Sequence, residues 1–169
     1  ITCSGCNEIT EAQLRKSLKE TKAKSNLLKK SKFVKADFEA DKQLVIAEYR
    51  KQGFRDAYIV GDTIWRNEDG LMEMVVTVHE GTKYFFGDIT WKGNTMHTND
   101  QLNRILGIRR GEVFNEELLE NRLRFSLDGR DVTSLYMDDG YLFFNVEPTV
   151  VSVNENMIDL EMRIFEGPQ

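Results

Sequence analysis

The sequence predicts an α+β fold made of two copies of one β-α-α-β-β unit, each a three-stranded mixed sheet covered on one face by two helices. Three observations predict it. Landmarks recur in order: Gly5, Tyr49, Gly53-Phe54 and Glu80-Gly81 are followed, 86 to 88 positions later, by Gly93, Tyr136, Gly140-Tyr141 and Glu166-Gly167. Each copy closes on a segment that alternates apolar and polar residues, the period of a half-buried strand. Each also carries a Thr-x-x-Gln pattern, Thr10 with Gln13 and Thr98 with Gln101, which reads as a capping box opening a helix. The boundary falls just after Glu80-Gly81, giving units 1–82 and 83–169, each of a size that small domains reach.

The elements follow in the same order in both copies. The opening strand holds Ile1 and Cys3 in one copy and Ile89 and Trp91 in the other. After the short capped helix, longer second helices are expected over Asp37 to Gln52 and Asn115 to Asp138. They stop at Gly53 and Gly140, since glycine takes the left-handed cap without steric cost. Hairpins then join Ala57 to Trp65 with a strand in which Met72, Met74, Val76 and Val78 point inward, and Leu142 to Val153 with one in which Ile158, Leu160, Met162 and Ile164 do. Tyr49 and Tyr136 are expected to pack as equivalent core aromatics. Two helices cover one sheet face, leaving the first and second strands as edges with unpaired backbone groups.

Composition fits a folded domain: 40% hydrophobic, 30% charged, two prolines and no low-complexity tract. No apolar run approaches the roughly 20 residues of a membrane-spanning helix, and no signal-peptide pattern opens the chain. Both ends read as cuts in a longer protein. Charge is uneven, with 14 basic and 13 acidic residues in 1–82 against 9 and 15 in 83–169. Lys22, Lys24, Lys29, Lys30, Lys32 and Lys35 have no acidic residue among them and form a candidate patch for anionic surfaces, although a solvated loop explains them as well. The patch lacks interleaved aromatics and arginine, so nucleic acid is not an expected partner.

Cys3-Ser4-Gly5-Cys6 has the spacing of thiol redox proteins. The repeat argues against catalysis, because Cys3 takes the strand slot of Trp91 and Cys6 the turn slot of Asn94, away from any helix N-terminus. A disulfide and two unpaired thiols remain the alternatives. His79 and His97 are remote from the cysteines, so no metal site is expected, and no cofactor either. Phosphate loops, nucleophile elbows and zinc-protease motifs are absent, and the repeated positions are glycines, aromatics and core residues. The expectation is a protein that is not an enzyme.

The residues also carry a resemblance over the whole chain. Ile89-Thr90-Trp91 followed by Gly-Asn-Thr, Leu106-Gly107-Ile108 with Gly111, Asp131-Val132 through Leu135-Tyr136, Gly140-Tyr141-Leu142 and Glu166-Gly167-Pro168 resemble a POTRA domain. Phe33, Phe38, Asp41, Tyr49, Gly53 to Ala57 and Glu80-Gly81 are similar in the first copy, which departs at Gly5-Cys6-Asn7 and in a longer connection between its helices. The pair is most similar to the tandem POTRA modules of BamA-like members of the Omp85 family. That resemblance implies a periplasmic scaffold of an outer-membrane protein, linked to the membrane through a C-terminal barrel absent here. Its implied partners are unfolded outer-membrane proteins and accessory lipoproteins. A two-partner secretion or other translocation pore is the alternative, and a thiol oxidoreductase using Cys3 and Cys6 the remote one. Edge-strand addition needs only backbone groups and so suits varied substrates. The docking edges are expected around Tyr58, Ile59 and Val60 and around Phe143, Phe144, Asn145 and Val146, with a hinge at Gly81, Thr82 and Lys83.

Overall fold

The structure, a computed structural model, describes residues 2–18 and 34–169. Its contacts divide the chain into two compact units, Ile1–Thr82 and Lys83–Gln169. The first holds β1 (Thr2–Ser4), α1 (Glu11–Ser17), α2 (Lys35–Lys51), β2 (Tyr58–Arg66) and β3 (Met72–His79). The second holds β4 (Phe85–Lys92), α3 (Asn99–Leu106), α4 (Glu116–Glu120), a π-helical turn (Asn121–Phe125), α5 (Val132–Asp138), β5 (Asn145–Asn154) and β6 (Met157–Phe165).

Each unit has one three-stranded mixed sheet, in the orders β1-β3-β2 and β4-β6-β5. The last strand is central, parallel to the first and antiparallel to the second. Its alternation explains this placement. Val76 and Val78 in β3, and Ile158, Leu160 and Met162 in β6, turn to the helices and are buried. Burial of one such side chain is worth about 1.5–3 kcal/mol. Leu14, Phe38, Val45 and Tyr49 complete the first core; Phe86, Leu102, Leu106, Leu123 and Tyr136 complete the second.

The caps explain where the helices start and stop. Thr10 and Thr98 each accept the N–H of the residue three on, Gln13 or Gln101, at 3.3 Å, and the glutamine side chain accepts the threonine N–H in return at 3.0 and 2.9 Å. Such a cap contributes about 1 kcal/mol. Just beyond the C-terminal ends of α2 and α5, Gly53 and Gly140 have φ of 93° and 92°. Phe54 N–H donates to the Tyr49 carbonyl and Gly53 N–H to that of Arg50, at 3.0 and 3.2 Å; Tyr141 to Tyr136 and Gly140 to Met137 repeat the arrangement at 3.0 Å. The aromatic before each glycine meets the one after it edge-on at 5.9 Å in both units.

Two expectations are corrected. The second helix of unit two is not continuous from Asn115 to Asp138, because that stretch contains two N-caps. Asn115 accepts Leu118 N–H at 2.9 Å and starts α4, whereas buried Asp131 accepts Ser134 N–H at 2.8 Å, Ser134 Oγ at 3.0 Å and Ser126 N–H at 3.2 Å, and so starts α5. The strand expected from Leu142 begins at Asn145. The glycine cap at Gly140 leads into a turn through Leu142 and Phe143, closed by Phe144 N–H on the Tyr141 carbonyl at 3.2 Å. The first hairpin strand lies within a residue of its expected bounds.

Candidate docking edges and the lock that holds each unit

One arrangement occurs in both units. Tyr49 of α2 is fully buried and donates its hydroxyl to Glu80 Oε1 at 3.0 Å; the same oxygen accepts the N–H groups of Asn7 and Glu8 at 2.8 and 3.0 Å. Tyr136 of α5 is fully buried and donates to Glu166 Oε1 at 3.1 Å, and that oxygen accepts Thr95 and Met96 N–H at 2.7 and 2.9 Å, while Thr95 Oγ1 donates to Glu166 Oε2. Each carboxylate therefore ties the end of the central strand to a core helix and to the loop after the first strand. Burial works against the charge on Glu80 and Glu166, but the amide and hydroxyl donors outweigh it and hold both pKa values below the usual carboxylate range. Burial, then the carboxylate, pushes the Tyr49 and Tyr136 phenols above their ordinary value.

Close approach at Gly5 and Gly93 lets the loop reach the carboxylate. A Cβ at Gly5 would lie 2.5 Å from the Val78 carbonyl oxygen, and one at Gly93 would lie 2.2 Å from that of Ile164. The departure at Gly5-Cys6-Asn7 thus preserves the loop's bonding pattern. Glu80 and Glu166 stood in the repeated Glu-Gly landmark, so the sequence marked them without revealing their role.

Among the described residues the β2 edge is open. Tyr58 and Val60 are 54% and 60% exposed and Trp65 is also exposed, while Ile59 is half-buried against the core. The register slips between Ile59 and Gly61, leaving Val60 in a bulge. Tyr58 lies beside His79 of β3 with ring centroids 5.0 Å apart. No proline interrupts β2, and among the described residues no side chain bonds its backbone. Along the strand Asp62 reaches α2, where Lys42 Nζ lies 2.7 Å from it and 2.8 Å from Glu39. Burial of this ammonium opposes its charge, and the two carboxylates overcome that to raise its pKa.

The β5 edge differs from expectation. Phe144 precedes the strand and is a core residue, stacked on Tyr136 at 4.1 Å, because the turn at Leu142–Phe143 aims it inward. Phe143 is exposed but lies in that turn, not in the strand. Asn145 opens the strand and is exposed; Val146 is buried. Arg124, from the π-helical turn, donates Nη2 to the Val146 carbonyl and places Nε 3.1 Å from Glu120. In an antiparallel strand alternate residues present N–H and C=O to the same edge, so Pro148 shares the Val146 side and offers it no donor. The edge is therefore blunted by one arginine and one proline. Pro148 was visible in the sequence, but Arg124's reach across the chain was not.

Of the other candidates, Cys3 and Cys6 are joined in a disulfide with Cα atoms 5.8 Å apart, and neither lies at a helix N-terminus. Lys35 begins α2 and is exposed; Lys22, Lys24, Lys29, Lys30 and Lys32 lie outside the described residues. Among the described residues no group of three His, Cys, Asp or Glu side chains is placed to hold a metal, and no helix is long and apolar enough to cross a membrane.

With this geometry in place, comparison with known proteins finds consistent relatives. An outer membrane protein assembly factor of Treponema pallidum is 28% identical over 146 residues, 83% of this chain and 16% of the relative. The outer membrane protein assembly factor BamA of Neisseria meningitidis is 24% identical over 101 residues, 57% of this chain and 13% of that protein. The chain thus spans less than a fifth of the length of either. Among solved structures, POTRA3-5 of Haemophilus influenzae BamA matches 99% of this chain and 65% of its own at TM-score 0.61 and 16% identity. POTRA1-2 of Omp85 from Anabaena matches 99% and 93% at TM-score 0.55 and 14% identity. These likenesses establish the fold. The POTRA family model, described as a surface antigen variable number repeat, matches residues 84–167, and through that unit the chain belongs to the POTRA family.

Proposed function

We propose that both units are POTRA modules and that the chain is a periplasmic stretch of a BamA-like outer-membrane protein assembly factor, a scaffold and not an enzyme. Its β2 edge takes up strands of unfolded outer-membrane barrel proteins, and other surfaces meet accessory lipoproteins. The tandem reading is supported by the duplicated lock and by the fit to a two-module Omp85 fragment. Gly81, Thr82 and Lys83, at the division between the units, are the proposed hinge.

The observation that carries the docking reading is the contrast between the two second strands. Barrel strands alternate in polarity and need backbone partners, so an edge free of proline and of bound side chains can accept many of them. On this reading β2 docks substrate at Tyr58, Ile59 and Val60, and β5 does so only after Arg124 leaves Val146. The test is an NMR titration of the full chain with a peptide copying an outer-membrane barrel strand. Shifts are expected along Tyr58–Val60 and not at Asn145 and Val146, with the latter appearing in R124A. Shifts confined to Asn145 and Val146 in the unaltered protein, or no response at β2, would sink the assignment.

A further inference from the structure

The first strand of unit two is also an edge, since the order β4-β6-β5 gives β4 one neighbour. The chain begins to fill its other side itself. Residues 111–114 run antiparallel to the start of β4: Phe86 N–H donates to the Glu112 carbonyl at 2.8 Å, Gly111 N–H to the Phe86 carbonyl at 2.7 Å, and Phe114 N–H to the Tyr84 carbonyl at 3.0 Å. This pairing stops at Phe86, while β4 continues to Lys92. Ile89–Lys92 pair with β6 on one side, and among the described residues no strand pairs with them on the side away from β6.

An open groove of about 750 Å³ adjoins it, bounded by Gly87, Asp88 and Ile89 on the strand and by Asn103 and Arg104 of α3 and Ile108 beyond it. Arg109 and Arg110 stand on the same rim. Arg104 spends Nε on the Asp100 carbonyl at 3.2 Å, and Arg110 pairs with Asp88 at 2.7 Å, an exposed contact of small worth. Arg109 has no ion pair among the described residues. Three guanidinium groups thus gather, beside Asp88 and Asp100, at one groove of a unit whose charged residues are 15 acidic against 9 basic.

We propose that this groove docks an extended acidic segment of a partner protein, which adds to β4 beside Ile89–Lys92 and sets its carboxylates on Arg104 and Arg109. Residues 111–114 already show that this side of β4 accepts an antiparallel segment, and the partner takes up the lane beyond the register shift between Phe86 and Ile89. Period-two alternation lets such a segment turn apolar side chains toward Ile89 and Ile108 while its carboxylates meet the planar guanidinium forks. The proposal does not depend on substrate docking at β2, which belongs to the other unit, so each can fail alone.

The test uses the full chain, isotopically labelled, and a short peptide alternating glutamate and valine. Shifts are expected at Ile89–Lys92 and Arg109, with affinity falling about tenfold in R109E and declining steeply as salt is raised. R109E changes an exposed residue outside the core, and an unchanged melting temperature checks its fold. A peptide N-methylated along one edge should lose binding, because strand addition needs those amides. The proposal is overturned if the N-methylated peptide or a lysine-valine peptide binds as well, if R109E binds unchanged, or if inorganic phosphate alone reproduces every shift.

Discussion

The Tyr136–Glu166 lock makes a quantitative claim about unit two. Glu166→Ala removes the acceptor of two amides and two hydroxyls. The Thr95 and Met96 amides lie at the surface, so water replaces much of what they lose. The Tyr136 hydroxyl is buried, and stranding such a donor costs about 1–3 kcal/mol. The whole substitution is expected to cost about 3 kcal/mol. Tyr136→Phe removes one bond to a charged acceptor, keeps the packing on Phe144 and strands nothing buried, so about 1.5 kcal/mol is expected.

Each unit contains one tryptophan, Trp65 in the first and buried Trp91 in the second, so in a W65F background fluorescence reports unit two alone. With a urea slope of about 1 kcal/mol/M, the midpoint should fall by about 3 M for E166A and about 1.5 M for Y136F. The double mutant decides the matter. Once Glu166 is gone, Tyr136→Phe removes an orphaned hydroxyl and should cost nothing or restore stability. If Tyr136→Phe costs the same in both backgrounds, the two side chains do not act together and the lock is a coincidence of placement.

Gly93→Ala should destabilise unit two by more than about 2 kcal/mol, because its Cβ would lie 2.2 Å from the Ile164 carbonyl oxygen at a φ of 91°; urea unfolding followed at Trp91 checks this, and a loss below half that would contradict it. Stability should also depend on pH with a defined sign. Glu80 and Glu166 have depressed folded pKa values against about 4.3 unfolded, so their contribution is present above about pH 4.3 and disappears as pH falls through the lower folded values. Melting temperatures of the protein and of E80Q/E166Q should therefore converge in that acid window; parallel curves would refute the assignment.

What the sequence disclosed and what it withheld follow from different physics. Thr10, Thr98, Gly53 and Gly140 were legible because caps are local chemistry, and Ile158, Leu160 and Met162 because a strand with one buried face must alternate. The break in the second helix was legible in principle, since Asp131 is followed by Ser134 at capping distance, but a helical period alone runs across it. Phe144 was misplaced because a Phe-Phe-Asn-Val run has high strand propensity, while the Gly140 cap, four residues earlier, dictates a turn first. Arg124 on Val146 and the cover of residues 111–114 over β4 are contacts between distant residues, and no periodicity encodes them.

That difference bears on how such modules acquire partners. The lock, the caps and the buried alternation are the same in both units and set the fold. The edges are not the same: β5 carries Pro148 and the Arg124 contact, whereas β2 carries neither. An edge is closed by a few side chains whose replacement leaves the core untouched, so one fold can offer an open edge in one copy and a blunted one in the next. On the proposed docking reading, partner choice in this chain resides at Arg124, Pro148, Arg109 and the residues around Tyr58, positions that the repeated landmarks do not include.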